Sequence, residues 1–349
     1  MKVVVFGGAG YIGSHLVREL VRHTPMSVVV ADSLAAAHGS TPPFISNLVN
    51  VGESSNHDGS LKKIAFEHGD IRDPLFLDGV FERHAPDAVV HMCASIVVPD
   101  SVRDPLSYYD NNVVGSLRIL QAMNKHNCKL IVFSSTAALF GTPSGDAAGK
   151  PIPPDAPCVP ESPYGDTKMV MEMMLKAADV AHGIRFVSLR YFNACGAHVD
   201  GDIGECHEPE THLIPIILQV PLGQREKISV FGSDYPTEDG TCVRDYVHVT
   251  DLAKAHIKAL DYLSKGNPSN SFNLGSGTGH SVKEVIAAAR RVSGHPIPEV
   301  VMPRREGDPP VLVASSEKAG SVLGWQTSFT LEEIISSAWK FHQAHTNKK

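Results

Sequence analysis

The sequence has no run approaching the ~18 uninterrupted apolar residues of a membrane span. It also lacks a leader-like start: Val3–Phe6 supplies four apolar residues before Gly7, too few for the apolar core of a signal peptide. Its six cysteines (Cys93, Cys128, Cys158, Cys195, Cys206, Cys242) form no CxxC pair and no even rhythm. That excludes the signature of a disulfide scaffold, and buried reduced thiols are the simplest reading. Together these absences lead us to expect a soluble, cytoplasmic protein with no membrane partner. Positive charge is also scarce. Lys and Arg number 31 against 38 Asp and Glu, a net charge of −7, so a general nucleic-acid binder is disfavoured for want of a basic excess. No internal repeat is visible. With 20% charged and 42% hydrophobic residues, the chain is neither disordered nor a coiled coil. Its 349 residues can bury a large core, as one large α/β domain or two fused domains.

What is present is an alternation of short β-branched runs with helix-like segments. Val3–Phe6, Val28–Ala31, Ala88–Met92, Leu130–Phe133 and Phe186–Arg190 read as strands. They are continuously apolar rather than alternating, which implies a parallel sheet covered on both faces. Tyr11–Arg22 and Tyr164–His182 read as helices. The Ser/Asn/Gly/Pro-rich segment Leu34–Lys63 reads as a surface insertion with one helical piece, and Thr142–Pro163 as a long loop. In the C-terminal third, Ser281–Glu284 and Thr330–Glu333 are capping boxes, each opening an amphipathic helix. The fold class is therefore α/β: a doubly wound parallel sheet and a smaller C-terminal α/β lobe. The expected division is 1–190 plus 245–275 for the sheet domain and 191–244 plus 276–349 for the lobe.

Gly7, Gly10 and Gly13 follow the first strand and open the first helix. Glycine lets a chain turn tightly and lets a pyrophosphate approach the backbone, where the helix N-terminus offers N–H groups and a favourable dipole. Asp32 ends the second strand, 19 residues after Gly13, where a carboxylate accepts from both ribose hydroxyls. No Lys or Arg occurs between Ser33 and Leu61, so nothing local would neutralise a 2′-phosphate. The expected cofactor is NAD rather than NADP. His68–Ile71 suits an adenine-contacting loop.

Tyr164 and Lys168 stand four residues apart, on one face of a helix. A free phenol is a poor base at neutral pH. Bringing its pKa from near 10 to near 7 requires about 4 kcal/mol, which a nearby ammonium and a cationic nicotinamide ring would supply. Upstream, Ser134, Ser135 and Thr136 end a strand with hydroxyls able to hydrogen-bond a reacting oxygen.

With these motifs in order, the chain resembles the extended short-chain dehydrogenase/reductase family, in its branch of UDP-hexose 4-epimerases. The resemblance rests on GGAGYIGSH (Gly7–His15), GDIRD (Gly69–Asp73), PLSYYDNNVVGS (Pro105–Ser116), FSSTAALFG (Phe133–Gly141), SPYGDTK (Ser162–Lys168), LRYFNACGAH (Leu189–His198), FGSDYPTEDGTCVRDYVHVTDLA (Phe231–Ala253) and PRREGDPP (Pro303–Pro310). It implies a Rossmann-like sheet domain binding NAD through Gly7, Gly10, Tyr11, Ile12, Gly13, Asp32, Asp70, Ile71, Asn111 and Phe192. It implies catalysis by Thr136, Tyr164 and Lys168. It also implies a UDP-sugar partner held by Asn193, His212, Leu213, Ser229, Phe231, Arg244, Arg305, Asp308 and Leu312, and a homodimer built on the helices after Asn111 and Tyr164. The implied reaction interconverts UDP-galactose and UDP-glucose through a transient 4-keto sugar. Three positions depart from the family pattern: Ile96 where many members carry Lys, His212 where Asn is common, and Leu312 where a large Tyr or small Cys stands near the sugar C2 substituent.

Other readings are weighed against this one. A 4,6-dehydratase would need a carboxylic acid just after Thr136, but Ala137 and Ala138 follow and no acid occurs before Asp146. Epimerisation of UDP-N-acetylhexosamines or UDP-pentoses is the nearer alternative, with a non-catalytic NAD-binding protein behind it. The segment Cys206–His212 is dense in metal-ligand types. Yet Pro209 forbids a regular helix through it, and its histidines are five apart rather than the four that shares a helix face, so a polar substrate-side loop is expected there and no metal.

Overall fold

Val3, Val4, Val5 and Phe6 are completely buried, and they form the strand around which the N-terminal sheet is organised. The computed structural model describes residues 1–35, 64–143, 145, 149–207, 209–305 and 307–346. Most of the segment expected as an insertion, residues 36–63, lies outside them. The chain divides into two units: Met1–Gly141, Cys158–Arg190 and Ala253–Phe272, then Thr142–Pro157, Tyr191–Leu252 and Asn273–Lys349.

In the first unit β1 (Lys2–Phe6) pairs in parallel with β2 (Ser27–Asp32), and β2 with β3 (Ala65–His68). On its other side β1 pairs in parallel with β4 (Ala88–His91), and β4 with β5 (Leu130–Thr136). With β6 (Arg185–Tyr191) and a seventh strand, Asn270–Leu274, the sheet order is Asn270–Leu274, β6, β5, β4, β1, β2, β3. The order reverses between β1 and β4. In open sheets of this doubly wound, Rossmann-like kind, ligands bind at such a switch point, outside the carboxyl ends of the strands. Val4, Phe6, Val29, Ala31, Val89, Ile131 and Phe133, every second residue of their strands, form one core with the helices Pro74–His84, Gly115–Lys125 and Pro163–His182. Alternation turns Val3 and Val5 to the opposite face. The continuous apolar runs thus reflect burial on both sides.

Helix ends follow local chemistry. Asp73 caps Pro74–His84 through the Leu75 N–H, with Pro74 preset for the first turn. Ser162 likewise caps Pro163–His182 through the Gly165 N–H, and Gly183 ends it at φ 65°. Both expected capping boxes form, at Ser281/Glu284 and Thr330/Glu333.

The second unit is made of short strand pairs and helices. Residues 142–157 and 245–252 cluster here, not with the sheet domain as expected. Ile152 explains the first shift: it bridges Ala314, donates to the Val313 carbonyl and accepts from Ser315 N–H and the Asn273 side chain. The second shift follows from Tyr246–His248 pairing with Asn193–Cys195, and from Asp245, which accepts from Ser276, Gly277 and Ala314 N–H groups.

One buried ion pair ties β5 and β6 to the helix Pro163–His182. Arg190 grips Glu172 with two N–H groups at 2.9 and 2.6 Å, and Ser135 donates to the same carboxylate at 2.7 Å. Both charged side chains are 5% exposed. Removing one partner leaves an uncompensated buried charge, whereas removing both does not. Chemical denaturation of Glu172→Ala should show a loss of about 3–5 kcal/mol. The Glu172→Met, Arg190→Met double variant should lose much less, and equal losses would contradict this assignment.

Candidate active site

The carboxyl ends of β1, β2 and β4 frame a cavity lined by Gly7, Ala31, Asp32, Ser33, Gly69, Asp70, Ile71, Cys93 and Asn111. Gly7 sits at φ +81°, and a Cβ there would meet Cys93 N at 2.6 Å. At Gly13 a Cβ would fall 2.2 Å from the Gly7 carbonyl oxygen. At Gly10, by contrast, it would meet only that oxygen at 3.4 Å, so glycine here keeps open a place at the helix mouth. The helix Tyr11–His23 begins with no side-chain cap and no acid in its first turn, leaving its positive end for an anion. Asp32 accepts from Ala9 and Leu34 N–H groups, both at 2.9 Å, which fixes its carboxylate beside the cavity. Asp70 is held by Arg72, which also bridges to Asp110. A pyrophosphate and ribose fit this donor set, so Gly7–Gly13 and Asp32 are suited to NAD.

The Thr136 hydroxyl lies beside the Tyr164 phenol and favours its ionised form. Tyr164 and Lys168 lie one turn apart on the helix Pro163–His182. Burial pushes the Tyr164 phenol up to about 12, against the opposing effect of Thr136. Lys168 is 4% exposed; its Nζ donates to the Ser134 carbonyl at 2.9 Å and lies 4.9 Å from the centre of the Phe133 ring. Burial pushes this ammonium down to about 8. The expected depression of the phenol rests on Lys168 together with a cationic ring; in the protein itself burial dominates both groups and the ammonium donates to Ser134. Taking a phenol from about 12 to near neutrality requires about 7 kcal/mol.

Neighbouring groups add no charge. His91 is kept neutral, its pKa pushed down to about 3 by burial and by Lys168. Its Nε2 is 2.6 Å from Ser116 Oγ, whose proton goes to the Asn112 carbonyl, so His91 is the donor. Burial raises the Cys93 thiol to about 12, which makes it inert.

The remaining predicted residues lie in the second unit. Val311–Leu312 runs parallel to Val243–Arg244, placing Leu312 beside Arg244, and Asp308 forms an ion pair with Arg244. The strand Ile228–Phe231, carrying Ser229 and Phe231, pairs with Glu299–Met302, and the Arg305 guanidinium stacks 4.0 Å over the Phe231 ring. Asn193 and Phe192 lie together, their N–H groups bonded to Asp245 and Leu274 carbonyls. His212 stands just before the helix Leu213–Leu218 without a side-chain bond to it, its Nδ1 instead meeting the buried Glu205. His207 Nδ1 lies 3.2 Å from the same carboxylate oxygen. Burial opposes ionisation here, yet the pairing outweighs it: Glu205 and Glu210 raise His207 to about 10, and His207 and His212 lower Glu205 to about 2.

A model of the NAD dependent epimerase/dehydratase family matches residues 3–275. The chain belongs to that family. It is 48% identical to the UDP-glucose 4-epimerase of Halalkalibacterium halodurans over 346 residues, covering 99% of this chain and 96% of the relative. The UDP-glucose 4-epimerase of Lacticaseibacillus casei is also 48% identical over 346 residues, with 99% and 98% covered. Among solved structures, UDP-glucose 4-epimerase from Bifidobacterium longum in complex with NAD+ and UDP superposes with a TM-score of 0.90 at 35% identity over 100% of both chains.

Within the family, the choice between epimerase and dehydratase turns on the residues after Thr136. These form a short 3-10 turn, Ala137–Leu139, capped by the Thr136 hydroxyl and carrying no acid. Sequence reasoning missed three supports of this site. Glu172 and Arg190 clamp the strand that carries Thr136. Asn112, 3% exposed, accepts from Ser95 N–H and donates to Thr167, whose hydroxyl donates to the Tyr164 carbonyl. Two adjacent asparagines in an unremarkable polar stretch carry no pattern that marks one as buried; the π-helix Tyr109–Val114 decides it.

Proposed function

We propose that this protein is an NAD-dependent isomerase that epimerises UDP-hexoses at C4, interconverting UDP-galactose and UDP-glucose through a transient 4-keto sugar. The observation that carries this reading is Tyr164 beside Thr136 and one turn from buried Lys168, in the same unit as a glycine cradle suited to a pyrophosphate. The curated relatives bear the same activity by name.

NAD, when bound, supplies a reversible hydride acceptor and a positively charged ring. Tyr164 takes the proton from the sugar O4 and returns it after the ketone has turned over. Thr136 orients that oxygen and the phenol together. Lys168 stabilises the phenolate electrostatically once the phenol gives up its proton. Arg244 and Arg305 are fork donors that suit the diphosphate, and Asp308 suits ribose hydroxyls. Holding the nucleotide by remote contacts leaves the hexose weakly held and free to present its other face. Leu312, of intermediate bulk, selects hexoses over bulkier N-acetylated sugars.

Two finer features belong to this proposal. The six cysteines stand as free thiols, which suits the cytoplasm. No helix among the described residues is long and apolar enough to cross a membrane. A homodimer is supported by exposed apolar side chains on the helices expected to pair: Met173 and Val180, seven apart on Pro163–His182, and Val114 and Leu117, three apart where the π-helix Tyr109–Val114 runs into Gly115–Lys125.

Purified protein should convert UDP-galactose to UDP-glucose without added reductant, and UDP-N-acetylgalactosamine more slowly. Tyr164→Phe should lower kcat about a hundredfold or more. A variant within a few-fold of full activity would remove Tyr164 from the role of base. In light scattering at micromolar concentration the protein should run as a dimer, and Val180→Glu with Leu117→Glu should run as a monomer. A wild-type monomer would contradict the pairing.

A further inference from the structure

We propose that Glu205, His207, Glu210 and His212 form a binding site for a divalent transition-metal ion of the zinc class. One donor atom from each residue lies within 4.8 Å of the other three. His207 Nδ1 is 3.2 Å from Glu205 Oε1 and 3.9 Å from Glu210 Oε1, and His212 Nδ1 is 4.0 Å from Glu210 Oε1 and closer still to Glu205 Oε1. Zinc bonds to imidazole and carboxylate are about 2.0–2.2 Å long, so the edge of a tetrahedron around the ion is about 3.3–3.6 Å. The observed separations scatter around that edge. The two imidazoles meet edge to face, 74° apart with centroids at 5.4 Å.

Charge points the same way. With neutral imidazoles the four groups carry a net charge of −2, while the side chains of Glu205 and Glu210 are only 3% and 7% exposed. His207 and His212 balance these carboxylates as ion-pair partners, and a divalent ion would displace their protons and supply the same charge with one particle. Glu210 Oε1 accepts from the Thr211 and His212 N–H groups at 2.7 and 2.8 Å, which orients the carboxylate toward the cluster. Orientation of a ligating carboxylate by backbone donors is a usual support for a metal.

The helix-spacing argument against a metal fails because this segment is not a helix. Pro209 keeps the chain irregular, and residues 205, 207, 210 and 212 converge as a loop closing on the first turn of Leu213–Leu218. Two imidazoles and two carboxylates fill a tetrahedron, so the ion is structural: it fixes the loop and leaves no position for a reacting water. Borderline donors of this kind favour zinc over magnesium or calcium.

The test uses the full-length, NAD-loaded protein, stripped with EDTA and titrated with Zn2+ against a chromophoric chelator. About one ion per chain should bind, and His207→Ala should weaken binding at least about tenfold. Co2+ in place of Zn2+ should give the intense visible bands of four-coordinate cobalt in the wild type and not in His207→Ala. Glu205→Gln provides a second variant if the first fails to fold. His198→Ala, which alters the separate His198–Asp200–Asp202 group, should retain both signals. Wild-type protein that binds no Zn2+, equal binding by wild type and His207→Ala, or loss of the signals in His198→Ala would each overturn the proposal.

Discussion

Desolvation of one phenol and one ammonium at the carboxyl end of β5 is the constraint on which the site depends. Burial works against the charged form of both Tyr164 and Lys168. The phenol stays protonated until a nearby positive charge favours its ionised form. On the proposed assignment the proton transfer would be conditional: Tyr164 would be idle as a base without the cofactor, whose positively charged ring would favour its ionised form. The surrounding residues preserve this condition. His91 is held neutral, Cys93 stays protonated, and Lys168 is turned toward a carbonyl and an aromatic ring rather than toward water.

Keeping two such groups in register requires rigidity, and the sequence supplies it from outside the motif. Glu172 lies two turns beyond Tyr164 on the same helix, and it joins that helix to Ser135 on β5 and Arg190 on β6. Asn112 does the same from the π-helix side. The scarcity of positive charge in the chain finds its counterpart here. On the proposed assignment, anion binding would rest on a helix N-terminus, glycine backbone and two fork donors, not on the field of an acidic molecule.

Much of this was legible from sequence, for physical reasons. The glycine turn, the capping serines and the Tyr164–Lys168 pair depend on residues within a few positions of one another, and local geometry is what spacing encodes. Strand positions followed from continuous apolar runs because both sheet faces are buried. What was missed depends on distant residues. Glu172 and Arg190 are 18 residues apart and look like ordinary surface charges in sequence. Ile152 joins the second unit through a bridge to Ala314, which no local pattern announces. Glu205 to His212 converge because Pro209 prevents a helix, and the helix was the only geometry spacing could test. How deeply the Tyr164 phenol is buried was also beyond spacing, since it depends on elements distant in sequence.

The central claim is that Tyr164 is a buried phenol made basic by bound cofactor. Ultraviolet difference titration of the NAD-loaded protein against Tyr164→Phe isolates this one ionisation. The account predicts that Tyr164 titrates near neutrality, several pH units below a free phenol. Titration above about pH 10 with NAD bound would contradict it.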